Sequence, residues 1–256
     1  FDFINIGRNI MYFFYDQVNL KNATLTSGDI SGGSFSSGSN PSGRYNLIDE
    51  SLEYGVTTMG SYVIKIALTS AADPDSIATY ISSANTGGVF SLQVYGSNSD
   101  TVGSSKSSVS NESSGWDIDT ITNSTAYSNW FIESDNPMDD KIFKEVMFGK
   151  QLTFDTRPDT SINEGRATFS NIKEAYSGKQ FATRLSDTKK TWTLTWSNIS
   201  SSFKDDLITM RDTVSLDLPF IFNDDSNSYY VRMESGLDMT EVAHQRFSTS
   251  INLIEQ

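Results

Sequence analysis

The sequence predicts a mostly β protein with two domains, a β-sandwich over residues 1–154 and a second strand-rich domain with one helix over residues 155–256. Aromatic residues make up 12% of the chain, and Ser, Thr, Asn and Gly fill much of the remainder; this mixture favours strands and turns. Several short runs alternate between apolar and polar residues, as half-buried strands do. A length of 256 residues is sufficient for two ordinary cores.

The chain from Asn129 to Phe154 is the segment around which the first half is organised. An aromatic strand comes first, an acidic turn over residues 135–140 follows, and an apolar run extends from Ile142 to Phe148 before Gly149. Asn-Pro and paired Asp punctuate extended runs. The segment therefore predicts two strands joined by a polar turn.

Two further runs of the first half predict strands. Tyr62–Leu68 and Phe90–Val94 each place their apolar side chains on one face, as a half-buried strand does. Residues 71–84 are ambiguous, because Ile77 and Ile81 stand four apart and would also fit one or two turns of helix.

The opening of the chain and its polar tracts complete the first half. The short apolar run Ile10–Tyr15 predicts a buried strand. Ser27–Gly43 and Ser97–Gly115 are rich in Ser, Gly and Asn and show no periodicity. Such segments carry too little apolar surface for a core, so we expect loops there.

The strongest strand signal of the second half is Thr191–Trp196, where Trp192, Leu194 and Trp196 alternate with threonines. We expect the face that carries these three residues to be core. Further strands are predicted at Leu218–Phe222, Tyr229–Met233 and Phe247–Leu253.

One helix is predicted between these strands. Phe203, Leu207 and Met210 lie on one side at helical spacing, and Ser202 with Asp205 three residues later approximates a capping box. An acidic residue in the first turn would also favour the helix dipole. The second half is therefore predicted to be a sheet with one helix packed on it.

Charge and composition limit the partners. A formal net charge of −13 would repel a nucleic acid, whose phosphates bind Lys and Arg. The chain has no cysteine, which excludes disulfides and thiolate metal sites. No segment approaches the roughly 20 apolar residues that span a bilayer, so membrane insertion is not expected.

No catalytic motif is recognisable, and the protein is predicted not to be an enzyme. His244 is the one histidine of the chain and has no nucleophile motif beside it, so it is interpreted as structural or exposed. No phosphate-binding or dinucleotide-binding loop occurs, and no cofactor is expected. Glu133 with Asp135 or Asp139 is the nearest carboxylate pair for glycoside hydrolysis, and an acidic turn is the simpler interpretation.

Two oxygen-rich sets, within residues 135–140 and 224–227, could hold calcium, which prefers carboxylate and carbonyl oxygens. Neither has the spacing of an EF-hand loop, so both are interpreted as solvated turns without a metal ion.

The candidate ligand or contact rim consists of Trp116, which follows a Ser-rich tract, with Asp135, Asn136 and Asp139. An aromatic ring beside polar loops can stack on a sugar. The other three tryptophans lie in apolar strands and are predicted to be core: Trp130, Trp192 and Trp196.

The order of the pieces in the first half resembles a known family. Tyr45–Ser51, Tyr62–Leu68, Phe90–Tyr95 and Trp130–Pro137 follow one another as in discoidin-like, galactose-binding-like β-sandwiches. The resemblance implies a jelly-roll sandwich. The chain departs from the family at Tyr54-Gly55, where that family often has a tryptophan, and a shared fold does not transfer sugar binding.

Other segments resemble virion proteins of tailed phages, at Trp130–Lys150, Lys190–Trp196, Leu218–Val231 and Phe247–Glu255. The resemblance implies a structural protein of the tail, baseplate or fibre-attachment region, located in the virion. Its partners would be other virion proteins and copies of itself in a symmetric assembly. The alternative is a carbohydrate-binding adhesin module that recognises a host surface glycan.

Overall fold

The computed structural model describes residues 11–16, 18, 20, 23–31, 34–37, 56–57, 62–83, 90–111, 115–122, 125–134, 141–159, 163–168, 170–174, 180–184 and 188–256. The chain forms two compact units. The sandwich unit is Asp16–Gln151, and the helix-bearing unit joins Phe1–Tyr15 to Leu152–Gln256. The prediction of two domains joined between residues 154 and 155 differs from this division in the place of the opening strand. β1 (Tyr12–Asp16) pairs with the later strand Phe220–Asn223, so the beginning of the chain belongs with its second half.

Two antiparallel sheets form the sandwich unit. Its strands are β2 (Thr24–Ser31), β3 (Ser34–Ser37), β4 (Val56–Thr57), β5 (Tyr62–Ala72), β6 (Ser76–Ser83), β7 (Phe90–Ser97), β8 (Ser107–Asn111), β9 (Gly115–Thr120), β10 (Tyr127–Ser134) and β11 (Lys141–Thr153). One sheet has the order β3-β2-β5-β10-β7-β8. In the other, β6 lies between β11 and β9, and β4 pairs with β11.

Residues at alternate positions of both sheets fill one core between them, because side chains of a strand point to opposite faces in turn. The first sheet contributes Ile64, Ile66, Leu92, Val94, Trp130 and Ile132, and the second contributes Ile77, Val146 and Phe148. The strands predicted at 62–68 and 90–94 are confirmed as parts of β5 and β7. Both strands predicted within 129–154 are present as β10 and β11, one in each sheet.

The polar tracts and the ambiguous segment contain strands that the sequence did not indicate. Residues 71–84 hold the end of β5 and the strand β6 rather than a helical turn. The expected loop Ser27–Gly43 begins with the last five residues of β2. The expected loops Ser27–Gly43 and Ser97–Gly115 also include β3 and β8. Each is paired with a neighbouring strand, β2 or β7, through backbone hydrogen bonds that need no apolar side chain.

The helix-bearing unit is a sheet with one helix. Its later elements are β12 (Asn163–Ala167), β13 (Ser170–Glu174), β14 (Gln180–Arg184), β15 (Lys189–Ser200), α1 (Ser201–Val214), β16 (Phe220–Asn223), β17 (Ser228–Met233), β18 (Asp238–Ala243) and β19 (Arg246–Glu255). The sheet has the order β12-β15-β19-β17-β16-β1, with β18 also paired to β19. β13 and β14 pair only with each other among the described strands.

The alternating face of β15 is core, as predicted. Trp192, Leu194 and Trp196 are buried, whereas Thr193 and Thr195 between them are exposed. The Trp196 ring packs edge to face against Phe154, with centroids 5.3 Å apart. Its indole Nε1–H donates a hydrogen bond to the carbonyl oxygen of Thr156 at 2.8 Å. The buried indole therefore has a polar partner as well as apolar contacts.

The predicted helix is present and buries Phe203, Leu207, Met210 and Val214. Its cap differs from the prediction, because Ser200, extended at the end of β15, is the N-cap and its Oγ accepts the Phe203 N–H at 3.1 Å. The helix consequently starts before the predicted capping box, and its first turn has no acidic residue.

The predicted fold class is confirmed, since the described chain is mostly strand, with a sandwich followed by a strand-rich part that carries one helix. Within the described residues, no helix is long and apolar enough to cross a bilayer.

Trp196→Ala should lower the free energy of unfolding by about 3–5 kcal/mol, because it empties a fully buried aromatic site. Thr195→Ala on the exposed face of the same strand is the matched control and should cost far less. Urea denaturation of the full chain measures both variants. Equal midpoints for the two would contradict the assigned faces.

Candidate functional site

Two aromatic side chains meet on the outer face of the sandwich unit. Tyr80 of β6 lies directly opposite Trp116 of β9 in the antiparallel ladder. Their ring centroids are 5.2 Å apart, and the ring planes are inclined at 64°, an edge-to-face contact. Both residues are partly exposed. Tyr80 and Trp116 together form the aromatic pair.

A carboxylate lies on the same face as the aromatic pair. Glu145 of β11 is opposite Tyr80 on the other side of β6, so the three side chains share the outer face. Glu145 is 1% exposed, whereas Tyr80 and Trp116 are half-buried. Of the three residues, the two aromatic ones are therefore the more accessible.

The aromatic pair lies towards one end of the sandwich unit. Trp116 is the second residue of β9, on the side of the unit where β10 ends at Ser134 and β11 begins at Lys141. Gln151 lies at the other end, where its N–H donates to the Asp75 carboxylate in the connection between β5 and β6. The end near Trp116 is therefore remote from the chain's exit from this unit.

Of the four residues predicted to form a rim, the structure places Trp116. Asp135, Asn136 and Asp139 lie outside the described residues. Their grouping with Trp116 stays a prediction, and the strand ends at Ser134 and Lys141 are compatible with it.

Two aspartates of β9 point the opposite way from Trp116. Asp117 and Asp119 are paired with Thr79 and Ile77 of β6, and Ile77 belongs to the sandwich core. Because cross-strand partners share a face, both carboxyl groups lie on the inward face of the sheet. The sequence analysis missed these residues, although the alternation of Trp-Asp-Ile-Asp already places them on one side of a strand.

The inward position changes the acidity of both aspartates. Burial, and to a smaller degree the neighbouring Asp117 charge, raises the pKa of Asp119 to about 6. Burial also raises the pKa of Asp117, against a backbone hydrogen bond from Ile118 that lowers it. Desolvation disfavours the charged form of a carboxyl group, and a like charge nearby adds to that effect.

The opposite end of the sandwich unit is closed by packing. The Tyr127 ring lies over Gly96, where a Cβ atom would come within 2.2 Å of it. The same ring contacts Trp130 edge to face at 5.7 Å, and Lys106 Nζ lies 5.6 Å from its centroid. Glycine is required at position 96 because the tyrosine occupies the space of a side chain.

The other residues considered for catalysis, Glu133 and His244, lie in surroundings that do not indicate catalysis. Glu133 accepts a hydrogen bond from the Tyr95 hydroxyl at 2.7 Å, while its proposed catalytic partners lie outside the described residues. His244 is exposed in the turn between β18 and β19, as interpreted, next to Gln245 with φ of 56°.

Both aspartates of the acidic turn at residues 224–227 contact other groups of the chain. Asp224 Oδ1 accepts the backbone N–H groups of Ser226 and Asn227 at 3.0 and 2.8 Å. Asp225 forms an ion pair with Arg157 at 2.5 Å. This agrees with the interpretation as a turn. No cluster of three or more His, Asp or Glu side chains suited to a metal ion occurs among the residues that the structure describes.

No protein-family model matches the sequence, and no curated protein matches it. Solved structures match about half of the chain. The family 32 carbohydrate-binding module of C. perfringens NanJ, in complex with galactose, has a TM-score of 0.39 and 11% identity, covering 56% of this chain and 99% of that one. The lectin domain of lectinolysin, complexed with Lewis B antigen, has a TM-score of 0.36 and 8% identity, covering 53% and 99%.

A chitosan-binding module of a chitosanase/glucanase from Paenibacillus sp. IK-5 has a TM-score of 0.35 and 14% identity, covering 53% of this chain and all of that one. At TM-scores this low, the likenesses carry no argument about what this chain binds. The resemblance to phage virion proteins stays a prediction.

Asp119 should make stability depend on pH. Its pKa is raised from 3.8 to about 6, so the folded chain keeps a proton that the unfolded chain has already lost. The resulting stabilisation is complete below the unfolded pKa and is lost as the pH rises through about 6. Relative to Asp119→Asn, the wild type should therefore lose stability as the pH rises from about 4 to about 7.

Urea denaturation of both proteins over this range, with EDTA present, measures the difference. A difference that does not change with pH would show that the Asp119 carboxyl is not desolvated in the folded protein.

Proposed function

We propose that the sandwich unit is a non-catalytic binding module that takes a carbohydrate on the aromatic pair. The observation that carries the proposal is the position of Tyr80 and Trp116, partly exposed and in contact on the outer face towards one end of the unit. Neither ring is needed to separate the two sheets, because the core between them is filled by other residues.

Sugar chemistry fits such a surface. A pyranose ring presents an apolar face of C–H groups with hydroxyl groups around its edge, and aromatic side chains offer rigid apolar area with an adjacent polar group. The net charge of −13 opposes the approach of anionic glycans, so a neutral sugar is the expected ligand class. Galactose and the Lewis B antigen, bound by the matched modules, are suitable first test ligands.

A hydrolase has less support than a binding module. Glu133, the nearest candidate acid in the sequence, is held by Tyr95 on β7. The ladder puts Glu133 opposite Gln93 and Val63 and out of phase with the core residue Trp130. Glu133 therefore belongs to the outer face of the other sheet, away from the aromatic pair.

The assembly role implied by the phage resemblance stays a prediction. An assembly built by strand pairing needs an edge that accepts another strand. β18 is one edge strand of the helix-bearing unit and carries the exposed residues Asp238 and Glu241, and charges on an edge oppose such pairing. Sugar binding therefore has more support than assembly by strand pairing, and the virion location can be tested by finding the chain in purified particles.

Trp116→Ala should abolish or strongly weaken sugar binding while the protein stays folded. Loss of the ring contact should reduce affinity at least about tenfold, which corresponds to roughly 1.4 kcal/mol. Tyr80→Ala should act in the same direction, because it removes the ring that supports Trp116. Isothermal titration of the full chain with galactose and Lewis B oligosaccharide, preceded by a glycan array, measures the effect.

Tyr95→Ala is the matched control, since Tyr95 is also a partly exposed aromatic residue but lies on the other sheet. It should bind sugar like the wild type. The proposal fails if no neutral glycan of the array binds the wild type, or if Trp116→Ala, shown to be folded by circular dichroism, keeps full affinity.

A further inference from the structure

The inward face of β9 concentrates negative charge that no described cation offsets. Asp117 and Asp119 are two residues apart on this strand and so lie on the same side of it. Among the described residues, no lysine or arginine forms an ion pair with either carboxyl group. Two desolvated like charges without a counter-ion are unfavourable.

The buried hydroxyl group of Thr79 lies on the same face of the sheet as the two aspartates. Thr79 of β6 is directly opposite Asp117 in the ladder and has 0% exposure. Its Oγ1 has no hydrogen-bond partner, and neither does the buried Oδ2 of Asp119. Buried polar groups are almost always hydrogen-bonded, so two such oxygen atoms on adjoining strands indicate a missing partner. Because neighbouring carboxylates already make the site negative, that partner should be a cation.

We propose that Asp117, Asp119 and Thr79 form a calcium-binding site on the inward face of β9. All three side chains offer hard oxygen ligands, and carboxylate and hydroxyl oxygens suit Ca²⁺ rather than a softer metal. Ca²⁺ accepts six to eight oxygen ligands in flexible geometry, so water can complete its coordination. β9 pairs only with β6 among the described strands, and both aspartates are partly exposed, which leaves a route for the ion.

This site is distinct from the oxygen-rich turns noted in the sequence. The turn at residues 224–227 is engaged by its own backbone N–H groups and by Arg157, whereas the three oxygens here come from facing positions of two paired strands. A bound Ca²⁺ would neutralise the aspartates and give Thr79 Oγ1 a ligand to bind. The proposal does not depend on sugar binding.

Calcium titration of the full chain tests the proposal. After removal of metal with EDTA, the midpoint of thermal unfolding at neutral pH should rise with added CaCl₂, as expected for a ligand that binds only the folded state. Asp119→Asn should unfold at a higher temperature than the wild type in EDTA, because it removes a desolvated charge, and should lose the rise with CaCl₂. A residue that only stabilised the fold would not produce these opposite changes.

Thr79→Val is the second variant, because it keeps the shape of a buried side chain while removing the hydroxyl. Its midpoint in EDTA should be equal to or higher than that of the wild type, and its calcium affinity should be at least about tenfold weaker. Asp206→Asn, at an exposed position of α1, is the control and should keep the wild-type response to calcium.

Three results would overturn the site. The first is a wild type whose midpoint does not change with CaCl₂. The second is a wild-type calcium affinity in either Asp119→Asn or Thr79→Val. The third is an equal rise with MgCl₂, or with NaCl at the same ionic strength, which would indicate charge screening rather than a calcium site.

Discussion

The sandwich unit depends on the contact between Trp130 and Phe148 across its core. The two ring centroids are 5.1 Å apart, and neither residue is exposed. They belong to consecutive strands, β10 and β11, yet these strands lie in different sheets. A hairpin would have placed both rings in one sheet, with no large partner across the core. The crossing between the sheets lets the aromatic strand and the apolar strand bury their faces against each other.

That core contact also determines what the outer faces carry. Side chains alternate along a strand, so placing one residue in the core places its neighbours outside. Trp130 faces inward on β10, and Glu133, three positions later, faces outward, where it meets Tyr95. Ile77 faces inward on β6, so Tyr80 faces outward, where it meets Trp116. The aromatic pair is thus a consequence of the register between β6 and β9 and of the packing of Ile77.

The sequence predicts the fold class and most of the strongly periodic strands. A strand with one buried face has apolar residues at every second position, and that alternation is visible in the sequence. The sequence is less informative where one spacing of apolar residues fits both the helical and the strand period. Ile77 and Ile81 are four apart, a spacing that fits both a helix and a strand, and Thr79 between them is polar although it is buried. The strands β3 and β8 are Ser-rich and are held by backbone pairing, so their composition resembles that of a loop. The start of α1 depends on where β15 ends, and a local capping motif in the sequence does not predict that position.

The candidate site was still harder to predict from the sequence. Trp116 is recognisable as an aromatic residue beside a polar tract, but hydrophobicity would place it and Ile118 in the core and the aspartates in water. In the structure all four residues are half-buried, and the pairing of Ile77 with Asp119 puts the aspartates on the inward face of β9. Only the register between two strands, which single-residue preferences do not contain, identifies Asp117 and Asp119 as inward.

The two proposed ligands would act on the same strand from opposite sides. Among the described strands β9 pairs with β6 alone, and its two half-buried aspartates lie together on the inward face. An ion that neutralises them would order β9 and therefore Trp116 on its outward face. A sugar that binds the ordered strand would then have less conformational entropy to remove, which gives positive coupling between the two ligands. By linkage, the factor by which calcium raises sugar affinity must equal the factor by which sugar raises calcium affinity.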